Sequence, residues 1–425
     1  MTIFESDVLE DRRRRAAEAF GNQAPTVLIG AGEPISIPGG LDQTYPFTAH
    51  PEYYWLTGSQ RSGGVLAYSQ EAGWTHFVRP VTPTERLWEG NPDAPEGEDV
   101  AGLSEWLKRC EGAKTAVLGS PIPGVERDDE LATDMRVRLD AVRRRKDSAE
   151  VELLGRAVKA TAAGFAKARE VIQPGISERQ IQIELEAEMF RQGADAVGFG
   201  TIVGVGSNAA VLHFEPGDRI VKSDDLVLID AGGAISGYTA DVTRTYPAED
   251  RFTPKQQDIY DLVLAAESEG ISKCCVGTEW HDVHRAAASI LAQGLRDFGI
   301  LKGEIDGLLD SGAIALFFPH GIGHMTGLGV RDVGGHTQGR GEVRSCCGVR
   351  VRIDFPLGEN FLMTVEPGIY FVPAILDDPA KRDRFRESVA WESLDAWRSV
   401  GGVRIEDNVL ITSSGPRVIT AEIPK

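Results

Sequence analysis

The feature that most constrains the fold is a series of capped helices and apolar strands in the second part of the chain. Ser177 followed by Gln180 predicts a capping box that opens a helix ending near Gly193. Thr253-Pro254 predicts an N-cap followed by proline at the first helical position. The intervening apolar segments are typical of strands and read TIVGVG, DLVLIDAGG, ADVTRTYP, NFLMTVEPGIYF and VRIEDNVLIT. This pattern predicts an α+β domain with helices on one face of a largely antiparallel sheet.

The first part of the chain has a different pattern. Short apolar segments such as GGVLAYS and HFVRPV alternate with Pro/Gly turns, which predicts a smaller mixed α/β domain. A charged stretch then passes into a long amphipathic helix, predicted over residues 148–171. Because 425 residues exceed the usual size of one compact domain, we predict two, over residues 1–148 and 149–425.

Composition disfavours several kinds of partner and location. The net charge of −19 argues against nucleic acid and anionic membranes, since both require a basic surface. The basic runs at 12–15 and 143–146 have acidic neighbours, which predicts solvated helix faces. We expect neither a secretory leader nor a membrane span, because the N-terminus is charged and no apolar stretch reaches roughly 20 residues. Five cysteines without a CxxC motif favour a reducing cytoplasm.

Acidic residues lie at the ends of apolar strands. Asp230 follows LVLI, Asp241 begins DVTRTY, and Glu366 closes FLMTV. A carboxylate at the end of a buried strand is costly unless it is paired or bound to a metal ion. Glu406 shares a strand face with Arg404, so an ion pair between these two is an alternative to a metal-binding role. Taken singly, the other three carboxylates are also compatible with turns or strand caps.

A histidine joins these carboxylates. His324 lies in PHGIGHMTGLG, whose glycines predict a loop that allows close approach to a ligand. Four carboxylates and one imidazole suit Mn²⁺ and would accept Co²⁺, Zn²⁺ or Fe²⁺. Bridging carboxylates would hold two such ions about 3.5 Å apart with a hydroxide between them, a hydrolytic arrangement. His281 and His284 also have metal-binding spacing, but no third ligand is near them, so we predict no metal ion there.

At these positions the chain resembles the M24 "pita-bread" metallopeptidases, which include methionine aminopeptidase, aminopeptidase P, prolidase and creatinase. The motifs that carry the resemblance occur in the family's order and read IDAGG…GYTADVTRT, HGIGH, TVEPGIY and GGVRIED. The resemblance is strong over residues 150–420 and weaker in the N-terminal part, through PEYYWLTG and RLWEG. It implies a C-terminal pita-bread fold and a smaller creatinase-like N-terminal domain.

The resemblance also implies roles for the five candidate ligands. Asp230 would bind one metal ion, and Asp241 and Glu406 would bridge both ions. His324 and Glu366 would complete the ligands of the second ion. Glu366 would also accept a proton from the bridging water and act as the catalytic base.

Further motif positions imply substrate contacts. His213, in AVLHFEP, matches the family's substrate-side histidine, with an ordinary strand histidine as the alternative. His320 matches the first histidine of the HGxxH loop. Arg331 replaces a histidine that stabilises the tetrahedral intermediate; arginine can donate to an oxyanion but cannot shuttle a proton near neutral pH. Trp88, in RLWEG, matches a position that can reach a neighbouring subunit's active site, which implies a homodimer, unless it is an ordinary packed tryptophan.

The gaps between motifs separate the subfamilies. The segments from His324 to Glu366 and from Glu366 to Glu406 are long, as in prolidase. The first contains VRIDFPL, in which Arg352 matches an arginine that clamps a dipeptide's carboxylate, although Phe355 replaces a second arginine. We therefore predict an Xaa-Pro dipeptidase that acts on proline-containing dipeptides. The alternatives are an Xaa-Pro aminopeptidase acting on longer peptides and a non-catalytic binding protein of the same fold. Creatinase activity is disfavoured because creatinases lack the metal ligands.

Overall fold

A computed structural model describes residues 3–90, 92–110, 114–336 and 345–425. The chain divides into two compact units, Met1–Arg143 and Arg144–Lys425. This division falls slightly earlier than the boundary predicted between residues 148 and 149, which stays a prediction. None of the helices in the described ranges is long and apolar enough to cross a membrane.

The described part of the N-terminal unit combines helices with a single sheet. Its helices are α1 (Ser6–Phe20), α2 (Pro51–Thr57), α3 (Pro83–Glu89), α4 (Leu103–Arg109) and α5 (Asp129–Arg143). Its strands are β1 (Thr26–Gly30), β2 (Val65–Ser69), β3 (Gly73–Val78), β4 (Glu98–Asp99) and β5 (Thr115–Gly119). The sheet order is β4-β3-β2-β1-β5, with β1 parallel to β5 and antiparallel to β2.

One basic residue of α1 is buried, unlike the solvated face predicted for it. Arg12 is 0% exposed, and its guanidinium carbon lies 4.0 Å from the ring centroid of Phe4. Its Nη1 donates to the backbone oxygen of Trp55 at 3.0 Å. Contacts between a guanidinium and aromatic rings, together with a satisfied donor, offset the cost of burying this charge.

The helices of the C-terminal unit are α6 (Ser148–Val171), α7 (Glu178–Arg191), α8 (Pro254–Lys273), α9 (Trp280–Asp297), α10 (Ile305–Asp310), α11 (Pro373–Leu376) and α12 (Pro379–Arg384). Three of them, α6, α7 and α8, begin where the sequence predicts. Complete capping boxes open the first three, between Asp147 and Glu150, Ser177 and Gln180, and Thr253 and Gln256. Each box satisfies two backbone N–H donors at the start of the helix, which fixes where these helices begin.

The strands of this unit are short. They are β6 (Ala196–Val197), β7 (Ile202–Val205), β8 (Leu226–Ala231), β9 (Gly233–Ile235), β10 (Tyr238–Thr239), β11 (Val242–Pro247), β12 (Gly335–His336), β13 (Ser345–Cys346), β14 (Val349–Arg350), β15 (Ile353–Asp354), β16 (Leu362–Val365), β17 (Gly368–Tyr370), β18 (Gly402–Arg404), β19 (Asp407–Thr412) and β20 (Gly415–Val418). They form three-stranded sheets β10-β9-β6, β11-β8-β7 and β16-β19-β20 and the pairs β12-β15, β13-β14 and β17-β18. Among the described strand pairs of this unit, only β12-β15 is parallel.

These strands form several small sheets rather than the one sheet predicted. The chain bends between β8 and β9 at Gly232, where a Cβ would overlap the backbone oxygen of Ala240. Glycine is therefore required at this close approach of two strands. The α+β class with predominantly antiparallel strands is as predicted.

Two helix pairs cover the sheets and define two halves of the C-terminal unit. In the first half, α6 and α7 contact β7, β9 and β10, and the core includes Phe165 and Ile229. In the second half, α8 packs on α9 and contacts β16, β17 and β18, with Val263 and Val365 in its core. An isolated bridge between residues 243 and 406 joins the two halves. Side chains from both halves can therefore meet at this junction.

Candidate functional site

The carboxylates singled out by the sequence converge where the two halves meet. Asp230 lies near the end of β8, and Asp241 immediately precedes β11. Glu366 follows β16, and Glu406 stands between β18 and β19. Together with His324, these four residues are called the acid cluster below. Each half supplies part of it, so the cluster forms only when the halves pack together.

His324 reaches the cluster because its loop runs beside β16. The His324 backbone N–H donates to Thr364 Oγ1 at 3.0 Å. A Cβ at Gly323 would overlap the backbone oxygen of Thr364, so glycine permits this approach. His324 Nε2 then lies 3.4 Å from Asp241 Oδ2 and 3.9 Å from Glu366 Oε1. The prediction of a loop rather than a helix at this motif is confirmed.

The ligand atoms of the cluster are close and buried. Those of Asp241, His324 and Glu406 lie within 4.8 Å of one another. Burial lowers the pKa of His324, but the Asp241 and Glu366 carboxylates more than offset this and leave it raised. A ring surrounded by carboxylates in this way can bind a cation through Nε2 while Nδ1 faces the Met325 backbone oxygen at 3.1 Å.

The cluster carries more negative charge than its protein neighbours neutralise. Burial, followed by repulsion from Asp241 and Glu366, raises the pKa of Glu406 well above its ordinary value. Burial raises the pKa of Asp230 to about 7, against the opposing effect of Arg404. Burial also raises the pKa of Glu366. Divalent cations would relieve this repulsion, and carboxylate oxygens with one imidazole are ligands that such cations accept.

Sequence analysis missed the role of Arg404. This residue is 3% exposed and donates through Nη2 to Asp230 Oδ2 at 2.7 Å, so the predicted alternative of an Arg404–Glu406 pair is wrong. Its Nε donates to Thr243 Oγ1 and its Nη1 to Tyr370 Oη, each at 3.0 Å. Thr243 Oγ1 donates in turn to Glu406 Oε2 at 2.7 Å.

This network orients two carboxylates without saturating them. Asp230 Oδ1 is buried and has no hydrogen-bond partner among the described residues. A buried acceptor without a partner costs free energy, and a metal ion would remove that cost. The residues present therefore fit divalent metal ions.

A cavity of about 650 Å³ opens onto the acid cluster. His213 and Arg331 line it together with an apolar wall that consists of Phe199, Ile202, Phe214, Pro216 and Val330. His213 is exposed and lies in a turn rather than on a strand, so the strand alternative is wrong. Burial and the nearby Arg331 guanidinium lower the pKa of His213. A neutral imidazole and a cation thus face the same space as the cluster.

A smaller cavity of about 280 Å³ adjoins the first and contains the other predicted substrate residues. His320, Arg331 and Arg352 line it. The Nδ1 atom of His320 faces the Gly321 oxygen at 2.9 Å, so Nδ1 carries the proton and Nε2 accepts from Tyr370 Oη at 2.9 Å. Burial lowers the pKa of His320 to about 3. Both arginines are exposed and are available to an anionic group of a ligand.

Trp88 belongs to the N-terminal unit. It lies on α3 and 77% of its surface is exposed, so it is not the packed tryptophan considered as the alternative. Its predicted contact with a neighbouring subunit stays a prediction.

Comparison with known proteins supports the resemblance along most of the chain. Residues 152–413 match the model of metallopeptidase family M24, and residues 9–102 match the aminopeptidase P N-terminal domain. A probable Xaa-Pro aminopeptidase of Sclerotinia sclerotiorum is 32% identical over 98% of this chain and 78% of its own length. A probable Xaa-Pro aminopeptidase of Emericella nidulans is 31% identical over 95% of this chain and 92% of its own length.

Solved structures of similar proteins have the same fold. Aminopeptidase PepP of Pseudomonas aeruginosa is 28% identical, with a TM-score of 0.78 over 100% of this chain and 97% of its own. A variant of Escherichia coli aminopeptidase P in complex with substrate is 26% identical and has a TM-score of 0.80, and the match covers 99% of this chain and 96% of that one. The pita-bread fold with a smaller N-terminal α/β domain is thereby confirmed. The chain belongs to metallopeptidase family M24 and is a hydrolase of peptide bonds that depends on divalent metal ions.

Proposed function

We propose that this protein is an Xaa-Pro aminopeptidase, which releases the N-terminal residue from peptides whose second residue is proline. The observation that carries the proposal is the complete acid cluster at the floor of a 650 Å³ cavity with an apolar wall. Relatives that match nearly the whole chain are named probable Xaa-Pro aminopeptidases. These names favour the aminopeptidase alternative over the dipeptidase predicted from the motif gaps.

The motif gaps have a structural explanation that does not involve dipeptides. The insert between β17 and β18 contains α11 and α12, and its residues Leu376, Leu394 and Val400 lie in the core of the second half. An insert that contributes to the core stabilises the fold and does not by itself limit peptide length. The other insert includes residues 337–344, which lie outside the described ranges. The dipeptidase interpretation therefore depends on Arg352 alone.

The metal-ligand roles are part of the proposal. Asp230 would bind one divalent ion, Asp241 and Glu406 would bridge two, and His324 and Glu366 would complete the second site. When bound, the ions would lower the pKa of a water molecule and polarise the scissile carbonyl. Mn²⁺ is the ion we propose, with Co²⁺ or Zn²⁺ as substitutes, because carboxylates dominate the ligand set.

The protein's own groups would then handle protons and position the substrate. Glu366 lies at the cavity floor, where it can accept a proton from the attacking water and pass it to the proline nitrogen. Arg331 can donate a hydrogen bond to the oxygen that becomes negative in the transition state. His213 would contact the peptide on the cavity wall, and His320, held by Tyr370, would support it from the smaller cavity. We also propose a cytoplasmic homodimer.

The deciding experiment compares peptide length at a fixed Ala-Pro sequence. The protein is treated with EDTA, resupplied with Mn²⁺, Co²⁺ or Zn²⁺, and assayed on Ala-Pro-Ala, Ala-Pro and Ala-Ala-Ala. We expect kcat/KM for Ala-Pro-Ala to exceed that for Ala-Pro by at least about tenfold, and Ala-Ala-Ala to resist cleavage. Equal or faster cleavage of Ala-Pro would restore the dipeptidase interpretation. Failure to cleave any proline peptide with any ion would favour a non-catalytic binding protein.

Arg352 offers a matched variant for the same question. If the protein is an aminopeptidase, Arg352→Ala should change kcat/KM for Ala-Pro-Ala by less than about threefold, since an exposed ion pair contributes little. A dipeptidase would instead lose most of its Ala-Pro activity, because the substrate's carboxylate would lose its bidentate partner.

A further inference from the structure

A second group of metal-binding side chains lies in the C-terminal unit, apart from the acid cluster. It combines the start of α9, which contains His281 and His284, with the hairpin β13–β14, which contains Cys346 and Cys347. The sequence separates these two elements widely, which is why no third ligand is apparent near the histidines. Packing of β13 against α9 brings them together.

The hairpin brings its two sulfur atoms close together. Cys346 pairs with Val349, so Cys347 and Gly348 form a two-residue turn with positive φ angles of 52° and 85°. This is the geometry of a type I′ turn, which normally selects Asn or Gly at its first position. Cys346 Sγ and Cys347 Sγ lie 3.7 Å apart. Both are free thiols, with Cys346 partly accessible and Cys347 buried.

One of the two histidines beside the thiols has a buried ring nitrogen without a hydrogen-bond partner among the described residues. His284 is 0% exposed, and its Nδ1 accepts the Ile322 backbone N–H at 3.1 Å. In the neutral ring Nε2 therefore carries the proton, and this atom has no hydrogen-bond partner among the described residues. His281 differs, because its Nδ1 faces Asp354 Oδ1 at 3.4 Å, and it is not part of the ligand set. The buried Nε2 of His284, left without such a partner, points to a ligand that the protein can bind.

We propose that Cys346, Cys347 and His284 form a second metal site, which takes one soft, thiophilic ion such as Cd²⁺, Cu⁺ or Zn²⁺. One ligand atom from each residue lies within 4.8 Å of the others, close enough to surround one ion after small side-chain rotations. Thiolates select soft ions, whereas the acid cluster has only oxygen and imidazole ligands. The two sites therefore differ in the ion they prefer.

The three ligands are not equivalent. Each thiol loses its proton to solvent as a sulfur–metal bond forms. To bind as a neutral imidazole through Nε2, His284 must carry its proton on Nδ1 instead, which breaks the hydrogen bond from Ile322 N–H and makes the imidazole the weakest ligand of the three. The sulfur atoms hold the ion, and His284 adjusts its affinity. The site is independent of the proposed peptidase activity.

Cadmium provides a direct test, because sulfur-bound Cd²⁺ gives a charge-transfer absorption in the ultraviolet that oxygen-bound Cd²⁺ does not. Titration of the whole protein under reducing conditions should give one equivalent of this absorption per chain. The double variant Cys346→Ser/Cys347→Ser should lose it. The matched variant Cys274→Ser/Cys275→Ser removes the other vicinal pair, whose thiols donate to backbone oxygens, and should keep it. His284→Asn should keep the absorption and weaken Cd²⁺ affinity by about tenfold or more.

Alkylation of the unmodified protein tests the same site without a substitution. Bound Cd²⁺ should protect the partly accessible Cys346 from iodoacetamide and leave Cys275 reactive. The proposal is wrong if the absorption persists in the Cys346→Ser/Cys347→Ser variant or if Cd²⁺ fails to protect Cys346. Either result would overturn the site even if a serine variant folded poorly.

Discussion

Two buried charged clusters adjoin each other in the C-terminal unit and differ in how their charges are balanced. The acid cluster contains Glu406, and the next residue, Asp407, belongs to a second group with Arg244, Glu267 and Lys425, called the paired cluster below. Asp407 Oδ1 lies 2.8 Å from Arg244 Nη2, and Lys425 Nζ lies 2.7 Å from both Asp407 Oδ2 and Glu267 Oε1. Successive residues of an extended chain point to opposite sides, so one short segment serves both clusters.

The difference shows which cluster needs an external cation. Burial raises the pKa of a carboxyl group in both clusters, but Arg244 and Lys425 more than compensate for Asp407, whose pKa is lowered. The pKa of Glu406 is raised instead, because its neighbours are other carboxylates. Arg404 bonds directly to Asp230 alone among the four acids. The paired cluster is thus a structural ion network, whereas the charge of the acid cluster supports the proposal that it binds cations.

The largest expected effect comes from Glu406→Gln. This change removes a proposed bridging ligand, so we expect kcat on Ala-Pro-Ala to fall about ten-thousandfold, roughly 5 kcal/mol in transition-state free energy. Bound metal, measured by elemental analysis, should drop as well. In EDTA the same variant should unfold at higher urea concentration than the wild type, since one repelling carboxylate is neutralised. Full metal content with normal activity would show that the acid cluster is not the metal site.

Asp407→Asn likewise replaces a carboxylate with an amide, one residue later, but should lower stability and leave metal binding unchanged. It leaves the buried Arg244 without its carboxylate, while the partly exposed Lys425 keeps its contact with Glu267, and this should lower the free energy of unfolding by about 3 kcal/mol. Urea unfolding followed by circular dichroism measures this, with elemental analysis of the folded protein alongside. We expect the metal content per chain to stay at the wild-type value. Loss of metal with unchanged stability would reverse the roles assigned to the two clusters.

Arg331→Ala tests whether a protein cation, rather than a metal ion, balances the acid cluster. Arg331 is exposed on the cavity wall, so we expect unchanged metal content and a fall in kcat of about tenfold, roughly 1.4 kcal/mol, with little change in KM. Arg331→His serves as the control: histidine can also donate to the developing oxyanion and should recover part of the rate. Loss of metal from the Arg331→Ala variant would contradict the comparison of the two clusters, because Arg331 would then contribute to neutralising the acid cluster.

Sequence analysis found the members of the acid cluster because their motifs occur together in the order of the family, although each carboxylate taken singly also fits a turn, a strand cap or an ion pair. The glycines around His324 did predict its loop. The helix start at Ser177 was also predictable, since a capping box depends on residues three positions apart.

The partners within the clusters could not be predicted from local pattern. Arg404 pairs with Asp230 because β8 and β18 lie near each other, a long-range contact that sequence spacing does not determine. One signal was available: Val403 and Ile405 mark a buried strand, so Arg404 between them had to be buried and paired. The contact of His284 with the β13–β14 hairpin likewise depends on tertiary packing alone.

The dependence of stability on pH reports on the proton in the paired cluster. Burial and a hydrogen bond with Asp407 raise the pKa of Glu267 to about 8, whereas an unfolded glutamate ionises near 4.5. A group with a raised folded pKa stabilises the protein fully below its unfolded pKa, and this contribution is lost as pH rises through the folded value. Wild-type stability should therefore decline between pH 5 and pH 9, the window that about 4.5 and about 8 define.

Glu267→Gln should make that decline shallower, because glutamine keeps a donor toward Asp407 and has no proton to lose, while Asp230, whose pKa is raised to about 7, still contributes in both proteins. Urea midpoints across this pH range, measured in EDTA for both proteins, check the prediction. Parallel pH profiles for the two proteins would mean that Glu267 is ionised throughout. The paired cluster would then contain two ionised carboxylates, Glu267 and Asp407, beside Arg244 and Lys425. Its difference from the acid cluster would come from these two cations alone and not from a proton shared between the carboxylates.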